Sequence, residues 1–122
     1  MAGLRRRLRG VKAQSIKRGD IWWVSLDPTQ GSETKKTRPC IVLSQDTLNR
    51  LRRTVVVIPL SSAAQAHPPI TIPVSCQGKN AVAIIDQIRA VGKHRLKSRI
   101  EGADPADLQA VGNGVAEILQ LS

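Results

Sequence analysis

Gly19–Ser44 reads GDIWWVSLDPTQGSETKKTRPCIVLS, and this stretch decides the fold. Ile21–Leu26 and Pro39–Ser44 are rich in the bulky and β-branched side chains that suit a pleated surface, so each reads as a strand. Asp27-Pro28-Thr29 ends the first, because proline brings no N–H to a ladder and pushes the residue before it out of the helical region. The polar linker carries Lys35 and Lys36, and Arg38 stands where the second strand begins, with Glu33 the one acid of the linker after Asp27. A cationic loop held between two rigid strands is suited to gripping a phosphate. A solvated surface loop is the other reading of the same residues.

Working outward, further strands are expected at Thr54–Leu60, Ile70–Val74 and Ala81–Ile85, with shorter ones near Ile88–Val91 and Arg99–Glu101. Many short strands separated by polar turns make the chain mainly β, a small antiparallel barrel. Thr54–Leu60 (TVVVIPL) is apolar on both faces, so it is expected at the centre and covered on both sides. Asp46–Arg50 reads as a helical turn. The last segment is the clearest helix: Asp104 can cap it, Pro105 suits its first position, and Leu108, Val111, Val115, Ile118 and Leu119 follow a helical stripe. Gly112 and Gly114 each cost roughly 1 kcal/mol relative to alanine in a helix interior, so tertiary packing must hold it. Trp22 and Trp23 are adjacent in one strand and should point to opposite faces. The one left on the surface has two roles open to it, stacking on a base or packing against a partner subunit.

At 122 residues the chain is one domain with a modest core. Lys plus Arg number 19 against 9 acids, a net charge of +10. The excess is clustered: Arg5, Arg6, Arg7, Arg9, Lys12, Lys17 and Arg18 all precede the first acid, Asp20. Arg50, Arg52 and Arg53 form a second group, and Lys93, Arg95, Lys97 and Arg99 a third. Such a field attracts polyanions, nucleic acid before a membrane surface. Cys40 and Cys76 form no CxxC pair and there are two histidines, so no zinc-ligand set is visible and no metal is expected. Cys40, in an apolar strand, reads as a buried thiol acting as a small hydrophobe. MAGLRRRLRGVKAQS is basic without the apolar run of a secretory leader, and no run of 18 apolar residues occurs. The expected location is the cytoplasm.

The pattern G-D-I-W-x-V-x-L-D-P-T-x-G-S-E, followed by T-R-P and I-V-L-S, resembles the opening of the MazF/PemK family of bacterial toxins. The similarity continues through Val56–Ser62 (VVIPLSS), Ala83–Ile88 (AIIDQI) and the terminal helix, in order and with short gaps. It covers roughly Ile16 onward, so residues 16–122 are taken as the domain and 1–15 as a basic extension attracting phosphate without doing chemistry. The resemblance implies an SH3-like antiparallel barrel of the CcdB/PemK type with a C-terminal helix. It implies a sequence-specific endoribonuclease needing no metal or other cofactor. Single-stranded RNA, often mRNA, would be left with 2′,3′-cyclic phosphate and 5′-hydroxyl ends, stopping translation and growth. It also implies a type II toxin–antitoxin system, a homodimer whose RNA groove spans the interface, and an acidic, partly disordered antitoxin.

Residue by residue, Arg38 of the Arg-Pro pair matches the family's central catalytic arginine. Its planar fork of donors fits phosphate oxygens and the charge of a developing phosphorane. The alternative is that Arg38 pairs with Glu33 or Asp86 and merely holds the loop. Ser61 stands where MazF-like members carry a hydroxyl on the scissile phosphate. It also suits capping the turn after its strand, and Ser62 can substitute for it. Asp86 matches a candidate general base of PemK-like members, or is a structural acid. Ile84 replaces their nearby arginine and Ser32 the histidine some of them use, which moves the chain toward the MazF side. Glu33, Lys35, Lys36, Thr37, Ser62 and Arg53 are the expected RNA-contacting residues. His67 and His94 match no family motif and read as solvated. Two rival functions remain: a CcdB-like gyrase poison, which by resemblance needs a tryptophan in a tail that here ends EILQLS, and a basic nucleic-acid-binding barrel without catalysis.

Overall fold

The computed structural model describes residues 15–26 and 36–121. The expectations for the extension, and those for Glu33, Lys35 and Ser32, lie outside the described residues. Seven strands follow in chain order: β1 (Asp20–Ser25), β2 (Thr37–Val42), β3 (Thr54–Ser61), β4 (Thr71–Cys76), β5 (Lys79–Ile84), β6 (Arg89–Gly92) and β7 (Leu96–Gly102). The short helix α1 (Asp46–Leu51) stands between β2 and β3, and α2 (Pro105–Leu119) ends the chain. Single 3-10 turns at Ile85–Gln87 and Lys93–Arg95 flank β6. The ladder order is β4-β5-β3-β2-β1-β7, every pair antiparallel, with β6 also on β3. The sheet curls into a half-barrel carrying a C-terminal helix, as expected from sequence. Strand limits moved by a few residues: β2 begins at Thr37 rather than Pro39, and β7 already at Leu96.

TVVVIPL is the central strand. On one edge β3 meets β2; on the other it meets β6 through Val57 and then β5 from Leu60. Pro59, which has no N–H, falls between those two pairings, where a ladder donor is least missed. Alternation sends Ile58 and Leu60 into one apolar cluster and Val55 and Val57 into another. The second cluster, with Trp22, Val24, Cys40, Val42, Val91 and Leu96, lies on the opposite face of the sheet, with Ile16 and Leu26 packed against it. Trp22 is buried there while Trp23, one residue on, is only half-buried on the opposite face. Asp20, nearly buried, is satisfied on every side: it accepts from the Lys17 N–H and the Trp22 indole and pairs with Arg99 at 3.2 Å.

The first cluster lies beneath α2. Asp104 caps that helix by accepting the Ala106 N–H at 2.7 Å, and Pro105 occupies its first turn. Val111 is fully buried, and Leu108, Val115 and Ile118 pack beside it, while Leu119 is half exposed. Gly114 has a reason that helix propensity does not reveal. A Cβ there would sit 3.3 Å from Ile72 and from the Pro69 carbonyl and 3.4 Å from Ile85. Its bare backbone is what lets the helix lie close on the sheet.

Candidate active site

Arg38 is the second residue of β2, half-buried, with Val24 of β1 as its Cα partner. The Leu26 N–H donates to the Lys36 carbonyl at 3.0 Å and closes the ladder two residues before Arg38. Lys36 and Thr37 stand exposed there. On the other side, β2 and β3 pair through Cys40↔Pro59, Ile41↔Ile58 and Val42↔Val57. That ladder ends at Cys40↔Pro59; Arg38 and Ser61 each lie two residues beyond it on their own strands, so alternation puts both on the face of Cys40 and Pro59. Two residues 23 positions apart in sequence thus belong to neighbouring strands of one face.

Ser61 is half-buried at the last position of β3. Its hydroxyl oxygen accepts the N–H groups of Ala63 and Ala64 at 3.1 and 3.2 Å, which is the turn-capping role expected of it. Those bonds occupy the oxygen's lone pairs and leave its own hydrogen to donate. Ser62 is exposed just beyond.

Asp86 is exposed in the 3-10 turn that follows β5. β5 meets the end of β3 at Leu60↔Ala83 and Ser61↔Val82, so Asp86 follows the Leu60 partner by three residues. Arg38 and Asp86, both described, form no ion pair; among the described residues the one ion pair is Arg99–Asp20. Arg53 is at the other end of β3, where its carbonyl accepts the Lys93 N–H at 2.9 Å. Eight strand residues at about 3.3 Å each put it more than 20 Å along β3 from Ser61. His67 and His94 are both exposed, and the His94 ring covers Gly92.

The sequence reading missed Arg89. It opens β6 opposite Val57, which in turn faces Val42, so it shares the face of Arg38 and Cys40. The buried Cys40 thiol records both guanidiniums. Burial pushes it up to about 12, and the charges of Arg89 and Arg38 oppose that shift without overcoming it. Cys40 is therefore a neutral thiol across the physiological range, a core residue beneath two cations rather than a nucleophile. The signal for Arg89 was a basic residue directly after AIIDQI, where an apolar strand resumes. Only the β3–β6 register reveals which face it takes. Among the described residues no three His, Cys, Asp or Glu side chains gather as a metal-holding group.

A family model described as PemK-like, MazF-like toxin of type II toxin-antitoxin system matches residues 17–119. A curated relative, endoribonuclease MazF of Staphylococcus saprophyticus, is 29% identical over 105 residues, covering 82% of this chain and 88% of that one. Among solved structures, MazF of Deinococcus radiodurans superposes with a TM-score of 0.74 at 22% identity, covering 88% of this chain and 98% of that one. A MazE–MazF structure from the same organism gives 0.78 at 22%, covering 89% and 99%. A mycobacterial endoribonuclease in complex with its cognate antitoxin gives 0.72 at 20%, covering 88% and 97%. At these identities the solved structures establish the fold.

Proposed function

Because the chain belongs to the PemK-like, MazF-like toxins of type II toxin–antitoxin systems, we propose that the Arg38–Ser61 face is the catalytic centre of an endoribonuclease acting on single-stranded RNA. The reaction is an internal transesterification. The ribose 2′-oxygen gives up its proton and attacks the adjacent phosphorus, and the 5′-oxygen of the next nucleotide leaves and takes a proton. The ends are a 2′,3′-cyclic phosphate and a 5′-hydroxyl.

The charge that builds on the nonbridging oxygens is the main electrostatic demand. Arg38 meets it with two parallel N–H donors on a rigid strand, and Ser61 adds the hydroxyl hydrogen its turn leaves over. Removal of the 2′ proton is assigned to Asp86, an exposed carboxylate in the turn after β5, the strand that pairs with the end of β3. Arg89 adds a second guanidinium to the face. Lys36 and Thr37 at the end of the β1–β2 ladder, with Ser62 beyond β3, line the approach; Glu33 and Lys35 are assigned as further RNA contacts from the sequence, while Arg53 belongs to a more distant part of the RNA path. The observation that carries this reading is the β2–β3 ladder, whose last pair, Cys40↔Pro59, stands two residues from Arg38 on one strand and two from Ser61 on the other.

The same reading gives the protein two partners. One is a second copy of itself, supported by apolar side chains left exposed at Leu119 and Leu121 around the end of α2. The other is an acidic antitoxin, complementary to a chain of net charge +10. Among the described residues no helix is long and apolar enough to cross a membrane, and an activity on mRNA would be exercised in the cytoplasm. The test is incubation of a long single-stranded RNA with the purified protein, followed by mapping of the ends. Discrete cuts bearing cyclic phosphate and 5′-hydroxyl are expected. Intact RNA, or 5′-phosphate ends, would overturn the reading, and gyrase inhibition by the same preparation would favour the CcdB-like rival.

A further inference from the structure

The molecule has a second cationic surface that the reaction above leaves unused. A cavity of about 790 Å³ opens beside the entry to β1, lined by Lys17, Arg50, Lys93, His94 and Lys97 against a wall formed by Trp22. The four Lys and Arg residues come from three separate places: the segment before β1, helix α1, and the turn and strand after β6. Four like charges around one hollow repel each other unless an anion sits among them. The acid in the lining, Asp46, already accepts the Arg18 N–H at 2.7 Å. Among the described residues the side chains of Lys17, Arg50 and Lys93 make no hydrogen bond or ion pair.

The ligand's chemistry follows from the walls. Trp22 is 6% exposed and its indole N–H is turned to Asp20, so it offers little ring face for stacking a base. Lysine and arginine without a base-reading partner contact phosphate and carry no sequence information. Position matters too. Trp22 faces Cys40 and Val24 faces Arg38, so the cavity wall is two strand residues, about 7 Å, along β1 from the partner of the catalytic arginine. RNA held at Arg38 reaches the cavity within a few nucleotides.

We propose that this cavity is an exosite for the phosphodiester backbone of single-stranded RNA flanking the cleavage site, adding affinity without sequence preference. The proposal rests on the RNA-cutting reading of the Arg38 face. The test compares the Arg50→Gln/Lys93→Gln double variant with the wild type on two substrates. One is a long RNA; the other is the shortest oligonucleotide spanning a mapped cut that the wild type still cleaves, ending before the few nucleotides that reach the cavity. The expected result is a loss of about tenfold in kcat/KM on the long RNA at low salt. Its salt dependence should be shallower by about 1.4 in log–log slope, near 0.7 for each lost phosphate contact. Cleavage of the short RNA should stay within about twofold, and a thermal melt should show an unchanged fold. Unchanged cutting of the long RNA, or equal losses on both substrates, would overturn the proposal. Lys17→Gln with Lys97→Gln, on different segments, repeats the test should the first pair fold poorly. If the wild type cuts no RNA, the reading of the Arg38 face fails separately, and binding of polyuridylate decides the exosite: equal binding by variant and wild type sinks it. Unchanged RNA affinity with lost antitoxin affinity would assign the cavity to an acidic peptide instead, against the proposal.

Discussion

A serine hydroxyl has two lone pairs and one hydrogen, and at Ser61 the oxygen is already taken by the N–H groups of Ala63 and Ala64. The capping and catalytic roles are therefore compatible, since one uses the oxygen and the other the hydrogen. Ser61→Ala removes both: the turn should lose about 1 kcal/mol, and single-turnover cleavage should slow by roughly 10²-fold. Ser61→Thr keeps the hydroxyl and should restore most of the rate. Equal rates for the alanine and threonine variants would confine Ser61 to the turn. At Cys40, burial holds the folded-state pKa at about 12 against a reference of 9.0. The folded protein thus keeps a proton that the unfolded chain releases above pH 9. The stability this contributes is complete below pH 9 and is lost between 9 and 12, by about 1.4 kcal/mol per pH unit for one group. Urea titrations from pH 9 to 11 should show the wild type falling more steeply than Cys40→Ala. Parallel curves would contradict the burial argument.

At the scale of elements, the hydrophobic patterns were legible because each reports one periodicity. Alternation marked the strands, the two-faced apolar run marked β3 as central, and Asp104-Pro105 marked the start of α2. What stayed hidden was contact between elements. Gly112 and Gly114 look alike in sequence as two costly residues in a helix. In the structure a Cβ on Gly112 would meet nothing nearer than Arg18 at 3.7 Å, whereas one on Gly114 would press on Ile72, Ile85 and the Pro69 carbonyl. Gly112→Ala should therefore stabilise the protein by about 0.5–1 kcal/mol through propensity alone. Gly114→Leu should destabilise it by about 1–3 kcal/mol, since the sheet side cannot yield that space. Denaturation midpoints read both effects, and a tolerated Gly114→Leu would show that the helix does not rest on the turn at Pro69.

For the whole molecule, the candidate site was partly written in the sequence. Arg38 and Ser61 could be named from their blocks, but their place on one face of neighbouring strands depends on a pairing that no local pattern encodes. Arg89 was missed for the same reason: a basic residue after an apolar turn shows its face only once β6 is paired with β3. The cationic cavity needs three distant segments to meet, and its members looked like separate charge clusters. The central claim is that Arg38 acts on the transition state rather than as one more attractive charge among nineteen. Arg38→Lys keeps the charge and loses the planar pair of donors, so it separates the two roles. In single-turnover cleavage of a long RNA this variant should be slower by roughly 10²–10³-fold while its RNA affinity changes only a few-fold. A cleavage rate within a few-fold of the wild type would remove Arg38 from the catalytic centre.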